Sequence, residues 1–128
     1  MQPLPTTPSL IPSGQGALLR YPEAVQLVGG ADMVAALLPV LAQTLQQDAS
    51  RLDRAFADAQ LVEAAVALHG LKGVLPLFCA AEMAQRIIDL EAVCKTGALD
   101  AARLAWPVLR ANMLDLREEV RVIIEKPA

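Results

Sequence analysis

The chain of 128 residues is long enough for one domain with a buried core, and its 55% of hydrophobic and 20% of charged residues argue against a wholly disordered protein. The net charge of −3 and the lack of basic runs or basic-aromatic patches argue against a nucleic-acid-binding protein. The two cysteines, Cys79 and Cys94, fit no metal-ligand spacing, and their apolar surroundings predict buried free thiols in a reducing compartment.

Residues 1–16 predict a flexible proline-rich linker, because Pro, Ser, Thr and Gly dominate and no hydrophobic period is present. The segment also lacks the basic start of a signal peptide. The longest apolar run, MVAALLPVLA, is far shorter than the roughly 20 residues that a membrane span requires. We therefore expect a soluble module that the linker joins to a longer protein.

Residues 17–128 predict the folded domain, and its hydrophobic periodicity is helical throughout. Four long helices with short connections favour antiparallel packing. The sequence therefore predicts an all-α fold, an antiparallel four-helix bundle with a short extra N-terminal helix. The predicted helices cover, in chain order, roughly residues 17–28, 32–57, 60–75, 80–95 and 100–125.

Polar caps and helix breakers predict where these helices begin, bend and end. Asp32 and Asp58 are the expected N-caps of the second and third helices. Pro39 and Pro107 lie inside the second and fifth helices and predict kinks there. Gly97 stands where a glycine commonly ends a helix, here the fourth.

The stretch ALHGLKGV, residues 67–74, holds the single histidine of the chain next to two glycines. Each glycine costs about 1 kcal/mol relative to alanine inside a helix, so the pair calls for a packing or functional reason. On a helical wheel His69 lies off the apolar stripe of Ala64, Leu68, Leu71 and Leu75. Its own face carries small and apolar residues with one ammonium group: Val62, Ala65, Val66, Lys72, Gly73 and Pro76.

His69 and Lys72 form a candidate site for transfer of an anionic group. Imidazole is a nucleophile that is largely neutral near pH 7. Lys72 lies at i+3, where Cβ atoms are about 5–6 Å apart, so its ammonium group can offset the charge of a phosphoryl group on the ring. Gly73 leaves space for an approaching macromolecule. Because the chain has no P-loop or other glycine-rich nucleotide loop, we do not expect it to phosphorylate itself from ATP.

These residues resemble a known family. HGLKG at 69–73, the following LF and LEAVCKTG at 90–97 look like the histidine-containing phosphotransfer (HPt) domain, and the resemblance covers roughly residues 20–125. It implies a phosphorelay carrier of two-component signalling. His69 would accept a phosphoryl group, on the ring nitrogen that we expect to be Nε2, from the aspartyl phosphate of a receiver domain and pass it to another receiver aspartate. Lys72 would be the charge partner of the phosphate.

The resemblance also implies the partners and the setting of the domain. The partners would be receiver domains of response regulators or of a hybrid kinase, docked on Gly73, Val62, Ala65, Val66 and Pro76. Mg²⁺ would belong to the receiver, so this chain would hold no metal and no cofactor. We expect a phosphohistidine intermediate rather than a self-sufficient kinase, monomeric and cytoplasmic, without direct contact to nucleic acid or membrane. Its parent could be a membrane-bound sensor histidine kinase.

Two other interpretations stay open. Val74, Leu75 and Pro76 replace the small residues and the continued helix that are usual in the family, and Cys79 replaces a glycine. These departures favour a docking module that binds a receiver or kinase domain without being phosphorylated. Alternatively, the apolar face around Val62 would be the contact between copies of a purely structural bundle.

For the other conspicuous side chains, the sequence predicts structural rather than catalytic roles. Glu91 matches a Leu-Glu pair of the family pattern, and we expect it to form an ion pair at the edge of the bundle rather than to act in catalysis. Two aromatic residues are expected in the core, Phe78 and Trp106. A solvated charged face is expected at Arg51, Asp53 and Arg54.

Overall fold

The computed structural model describes residues 18–125, so the predicted linker over residues 1–16 lies outside the described residues. Within this range the chain is helical, with one isolated β-bridge between Leu19 and Cys79. This confirms the all-α prediction. The helices are α1 (Tyr21–Val28), α2 (Ala31–Ala57), α3 (Leu61–Val74), α4 (Ala81–Lys95) and α5 (Leu99–Glu125).

The four long helices each bury one apolar stripe. The stripe of α5 shows the spacing: its buried residues recur every three or four positions, which places them on one face. α2 packs against α3 and α5, and α4 packs against α3 and α5, while α1 lies against α2. The four stripes therefore share one core, whose largest fully buried side chains include Leu45, Leu68, Met83, Ile87 and Leu116.

The predicted caps of α2 and α3 are wrong. Gly30, not Asp32, occupies the N-cap of α2, and Asp32 lies in the first helical turn. The reason is the reversal before α2, where Gly29 and Gly30 take φ values of 102° and 126° that suit only glycine. Asp58 ends α2 instead of starting α3, which Gln60 begins without a side-chain cap.

The two helix-internal prolines interrupt neither helix. α2 continues through Pro39 and α5 through Pro107. Both prolines are exposed, so the carbonyl group that each leaves without a helical donor lies on the water-facing side. Gly97 follows the last turn of α4 with a φ of 82°, which confirms its predicted role.

The end of α3 is where the chain departs most from a plain helix hairpin. α3 stops at Val74 and a 3-10 turn follows over Leu75–Leu77, which confirms the predicted break near Pro76. The N–H of Arg20 donates to the carbonyl of Phe78 at 2.7 Å, so the segment before α1 lies beside this turn. Cys79 is buried under that segment, and burial raises the pKa of its thiol to about 11. Cys79 and Cys94 are both free and buried, as predicted.

The aromatic and charged side chains that the sequence singled out lie where it predicts. Trp106 is buried, as is Phe78, and both belong to the core as expected. The side chain of Asp53 is 41% exposed, as expected for a solvated face. Its carboxylate also accepts the indole N–H of Trp106 at 2.8 Å and the guanidinium of Arg110 at 3.0 Å. Arg51 pairs with Glu63 of α3.

Among the described helices, no single one is long and apolar enough to cross a membrane. The bent pair of α1 and α2, which meet at 111°, passes that test together, by length and composition only.

The buried and exposed faces of α3 give a direct test of the fold. Leu68 is fully buried, so Leu68→Ala should lower the free energy of unfolding by about 2–5 kcal/mol. Val62, on the same helix, is 79% exposed, so Val62→Ala is the matched control and should change it by less than about 0.5 kcal/mol. Urea denaturation followed by circular dichroism measures both, and equal losses would show that the face assignment is wrong.

Candidate functional site

His69 projects from the exposed face of α3. Its side chain is 69% exposed, while the stripe of Ala64, Leu68, Leu71 and Leu75 is buried, as the helical wheel predicted. One ring nitrogen, Nδ1, lies 3.2 Å from Oε2 of Glu91 on α4. The imidazole is therefore held at one nitrogen and open to solvent at the other side.

Glu91 is the centre of the site. Its side chain is only 4% exposed because it belongs to the buried stripe of α4, beside Leu90 and Cys94. Lys72 of α3 donates to Oε1 at 2.7 Å, and Lys95, one turn along α4, donates to Oε2 at 3.1 Å. Two ammonium groups thus face one carboxylate, so the cluster carries a net positive charge when the imidazole is neutral.

The charge state of Glu91 follows from these contacts. The hydrogen bond from Lys72 is the largest cause that lowers the pKa of Glu91, to about 2. Burial opposes this effect, and the bonds from Lys95 and His69 add to the lowering. Glu91 is therefore ionised near neutral pH and can only accept hydrogen bonds. A neutral His69 must then carry its proton on Nδ1, which leaves the lone pair on Nε2.

A groove between α3 and α4 runs beside the ring. It has a volume of about 470 Å³, and its wall includes His69, Glu91 and Lys95. Val66 is 55% exposed, so much of the groove surface is apolar and open to water. The remaining lining residues are Leu61, Val62, Ala65, Val66 and Cys94.

The structure brings together only part of the predicted docking set. Val62, Ala65 and Val66 share the groove with His69. Pro76 lies instead in a separate hollow of about 360 Å³ next to Leu77 and the start of α4.

The two glycines of the motif lie on open surface. Apart from its chain neighbours and the nearby backbone of its own helix, a Cβ atom built on Gly70 or on Gly73 would meet no atom within 4 Å. No close packing within the described residues therefore requires either glycine.

Sequence reasoning assigned Glu91 an ion pair but missed its contact with His69, and it did not single out Lys95. The ion pair is present, and Glu91 also holds the imidazole. One feature of the sequence does indicate a buried, paired Glu91. Glu91 is four residues after Ile87 and three before Cys94, so a carboxylate stands inside an apolar stripe where it needs a cation.

Over residues 18–125, no group of three or more His, Cys, Asp or Glu side chains is placed to hold a metal ion. Comparison of the chain with protein-family models, curated proteins and solved structures gives no significant match. The motif and the side-chain cluster of His69, Lys72, Glu91 and Lys95 are therefore the features that indicate a function.

The lowered pKa of Glu91 predicts how stability depends on pH. The folded state holds this carboxylate ionised down to about pH 2, against an ordinary value of 4.5, so its ionisation stabilises the fold above pH 4.5. That contribution is lost as the pH falls from about 4.5 to about 2. Wild type should therefore exceed Glu91→Gln in unfolding free energy at pH 6, and the difference should shrink over this range.

Urea denaturation at a series of pH values measures the difference. Asp89→Asn, which removes an exposed carboxylate from the same helix, is the matched control and should give a nearly constant difference from wild type. A constant difference for Glu91→Gln as well would contradict the assignment.

Proposed function

We propose that this chain is a phosphorelay carrier of the HPt type. His69 accepts a phosphoryl group from the aspartyl phosphate of a receiver domain and passes it to another receiver aspartate. The observation that carries the proposal is the exposed imidazole whose Nδ1 lies 3.2 Å from an ionised, buried carboxylate. The fold proposed with it is an antiparallel four-helix bundle with a short extra helix, which the short connections and mutual contacts of α2, α3, α4 and α5 support.

The transfer step needs no proton movement at the nucleophile. The lone pair of Nε2 attacks phosphorus, an N–P bond forms, and the P–O bond to the receiver aspartate breaks, with the carboxylate leaving with the electron pair. The ring keeps its Nδ1 proton and becomes positively charged. The carboxylate of Glu91 stabilises that charge, as the acidic residue does in a catalytic triad. The reverse step delivers the phosphoryl group to a second aspartate.

Lys72 supplies positive charge next to the ring. It lies one turn after His69 on α3, and its side chain is 35% exposed, so the ammonium group can reach solvent. A phosphoryl group carries close to two negative charges at pH 7, which this cation offsets through a charge-assisted hydrogen bond. In this proposal the receiver brings Mg²⁺ and the reacting aspartate in line with Nε2, and this chain brings the nucleophile.

The groove beside His69 is the proposed docking surface. Val62 and Val66 expose large apolar side chains on the face that also carries the nucleophile, and exposed apolar patches commonly mark interaction sites. Gly73 lies one turn from His69 with open space above it. A receiver docked here would exclude water from the ring. The same proposal makes the isolated domain a cytoplasmic monomer.

The nucleophile is tested by labelling. Wild type incubated with a ³²P-phosphorylated receiver should gain an acid-labile, base-stable label, and His69→Gln should fall to background because its side chain lacks the Nε2 lone pair. Lys72→Ala should slow transfer by about tenfold, a barrier change of about 1.4 kcal/mol. It removes one of two cations from a buried carboxylate, so it should also lower the melting temperature, while Lys95 keeps Glu91 paired and the bundle folded. Wild-type labelling of His69→Gln would mean that the proposal is wrong.

The apolar groove also supports a second candidate, a docking module without phosphotransfer. In that case wild type would bind the receiver but take up no label, and His69→Gln would leave binding intact. If the groove is instead covered by a second copy of the chain, as the structural-bundle interpretation holds, small-angle scattering would show a dimer.

A substitution at Gly73 tests docking of the receiver separately from phosphoryl transfer to His69. Gly73→Leu should fold at least as stably as wild type, because its Cβ atom meets no neighbour, the position is on the exposed face and leucine is a better helix former. Its side chain would obstruct a receiver, so transfer from the receiver should fall at least about tenfold. Uptake from phosphoramidate, a donor small enough to avoid the obstruction, should change less than about twofold.

Gly70→Leu is the matched control for Gly73→Leu. It makes the same change on the same helix at about 100° from His69, and it should reduce receiver transfer much less. Equal losses in both variants would argue against docking over Gly73.

A further inference from the structure

Lys95 is the charged member of the site that the proposed function does not use. It comes from α4, outside the HGLKG motif, and its side chain is 62% exposed. Its ammonium group lies 3.1 Å from Oε2 of Glu91, the same oxygen that faces Nδ1 of His69. Lys72 binds the other oxygen, Oε1. The buried carboxylate thus has one cation on each oxygen.

This arrangement bears on a conflict in the role of Lys72. The proposed function requires its ammonium group to bind the phosphoryl group on His69, yet in the free protein the same group forms the shortest bond to Glu91. A carboxylate that is 4% exposed cannot compensate the loss of a cation with water. With Lys72 as the sole counter-ion, binding the phosphoryl group would leave Glu91 buried without a cation.

We propose that Lys95 is a second counter-ion for Glu91, which frees Lys72 to turn towards the phosphoryl group on His69. This inference rests on the proposed function. Lys95 is a positioning residue: it forms and breaks no bond to phosphorus and acts through Glu91. Before transfer both lysines hold Glu91, and after transfer Lys95 alone neutralises the carboxylate. The negative charge of Glu91 then stays beside the positively charged ring.

The experiment measures uptake of phosphate from potassium phosphoramidate, which needs no partner protein. Nε2 of His69 attacks phosphorus, the P–N bond of the donor breaks, and ammonia leaves. ³¹P NMR follows the phosphohistidine signal and its loss by hydrolysis. Lys95→Met should slow uptake by about fivefold to tenfold, because Lys72 is then held by Glu91.

The same substitution in a Glu91→Gln background separates this mechanism from simple attraction of the donor anion. Without a carboxylate at position 91, Lys72 is already free, so Lys95→Met should change the already slower uptake by less than about twofold. An equal slowing in both backgrounds would show that Lys95 acts through its charge alone and would overturn the inference. No slowing in either background would overturn it as well.

Two further variants control for the fold and for net charge. Lys95→Arg keeps a cation one turn from Glu91 and should restore most of the uptake rate. Arg117→Met removes one positive charge from α5, which contributes no atom to the cluster, and should leave uptake unchanged. A loss in Arg117→Met as large as in Lys95→Met would again indicate a net-charge effect and overturn the inference.

Unfolding of the unphosphorylated protein tests the shared counter-ion itself. Lys72→Met and Lys95→Met each leave Glu91 with one cation, so the double variant should lose more stability than the two single losses added together. Additive losses would overturn the inference.

The outcomes also separate this inference from the proposed function. If wild type takes up phosphate and His69→Gln does so equally, the proposed function fails and the inference fails with it. If labelling depends on His69 but Lys95→Met behaves as wild type, only the inference fails.

Discussion

One buried carboxylate organises the site. The side chain of Glu91 lies in the apolar contact between α3 and α4, where an ionised group is tolerated only with cations and hydrogen bonds around it. Lys72 and Lys95 converge on it from the two helices, and His69 is held by the same group. The orientation of the imidazole is thus set by the packing of α3 on α4 rather than by the flexible surface.

This constraint gives the site two sides with different roles. The inner side is fixed: Nδ1 of His69 faces an acceptor that stays ionised near neutral pH, and burial limits its movement. The outer side is open, because the His69 side chain is 69% exposed and a Cβ atom on Gly73, one turn further along α3, would meet no neighbouring element. In the proposed function such a site supplies the nucleophile and a receiver domain supplies the electrophile, so the groove and the imidazole are explained together.

The helices could be predicted from the sequence because periodicity, proline and glycine are local signals. The break near Pro76 and the end of α4 at Gly97 are examples. The caps at Asp32 and Asp58 failed because the backbone conformation of the connections, not the side-chain type, decided where the helices begin. The contact between His69 and Glu91 depends on the register of two helices across 22 residues, which no local pattern specifies. The exposure of His69 could be predicted, and the apolar stripe of α4 indicates that Glu91 is buried, but the contact between the two could not be predicted.

The glycines of the motif lie on open surface, and the proposed function gives one of them, Gly73, a reason to be there. Two glycines inside a helix cost roughly 2 kcal/mol relative to alanine. A glycine can offset this cost where its missing side chain lets another element pack closely, but no atom lies near the Cβ position of Gly70 or Gly73. Nor does either require a left-handed backbone, since the positive φ values of the described residues fall elsewhere. Among the described residues, no packing contact therefore requires glycine at position 73. In the proposed function, its advantage arises outside the molecule, because a receiver approaching His69 needs the space that a side chain would fill.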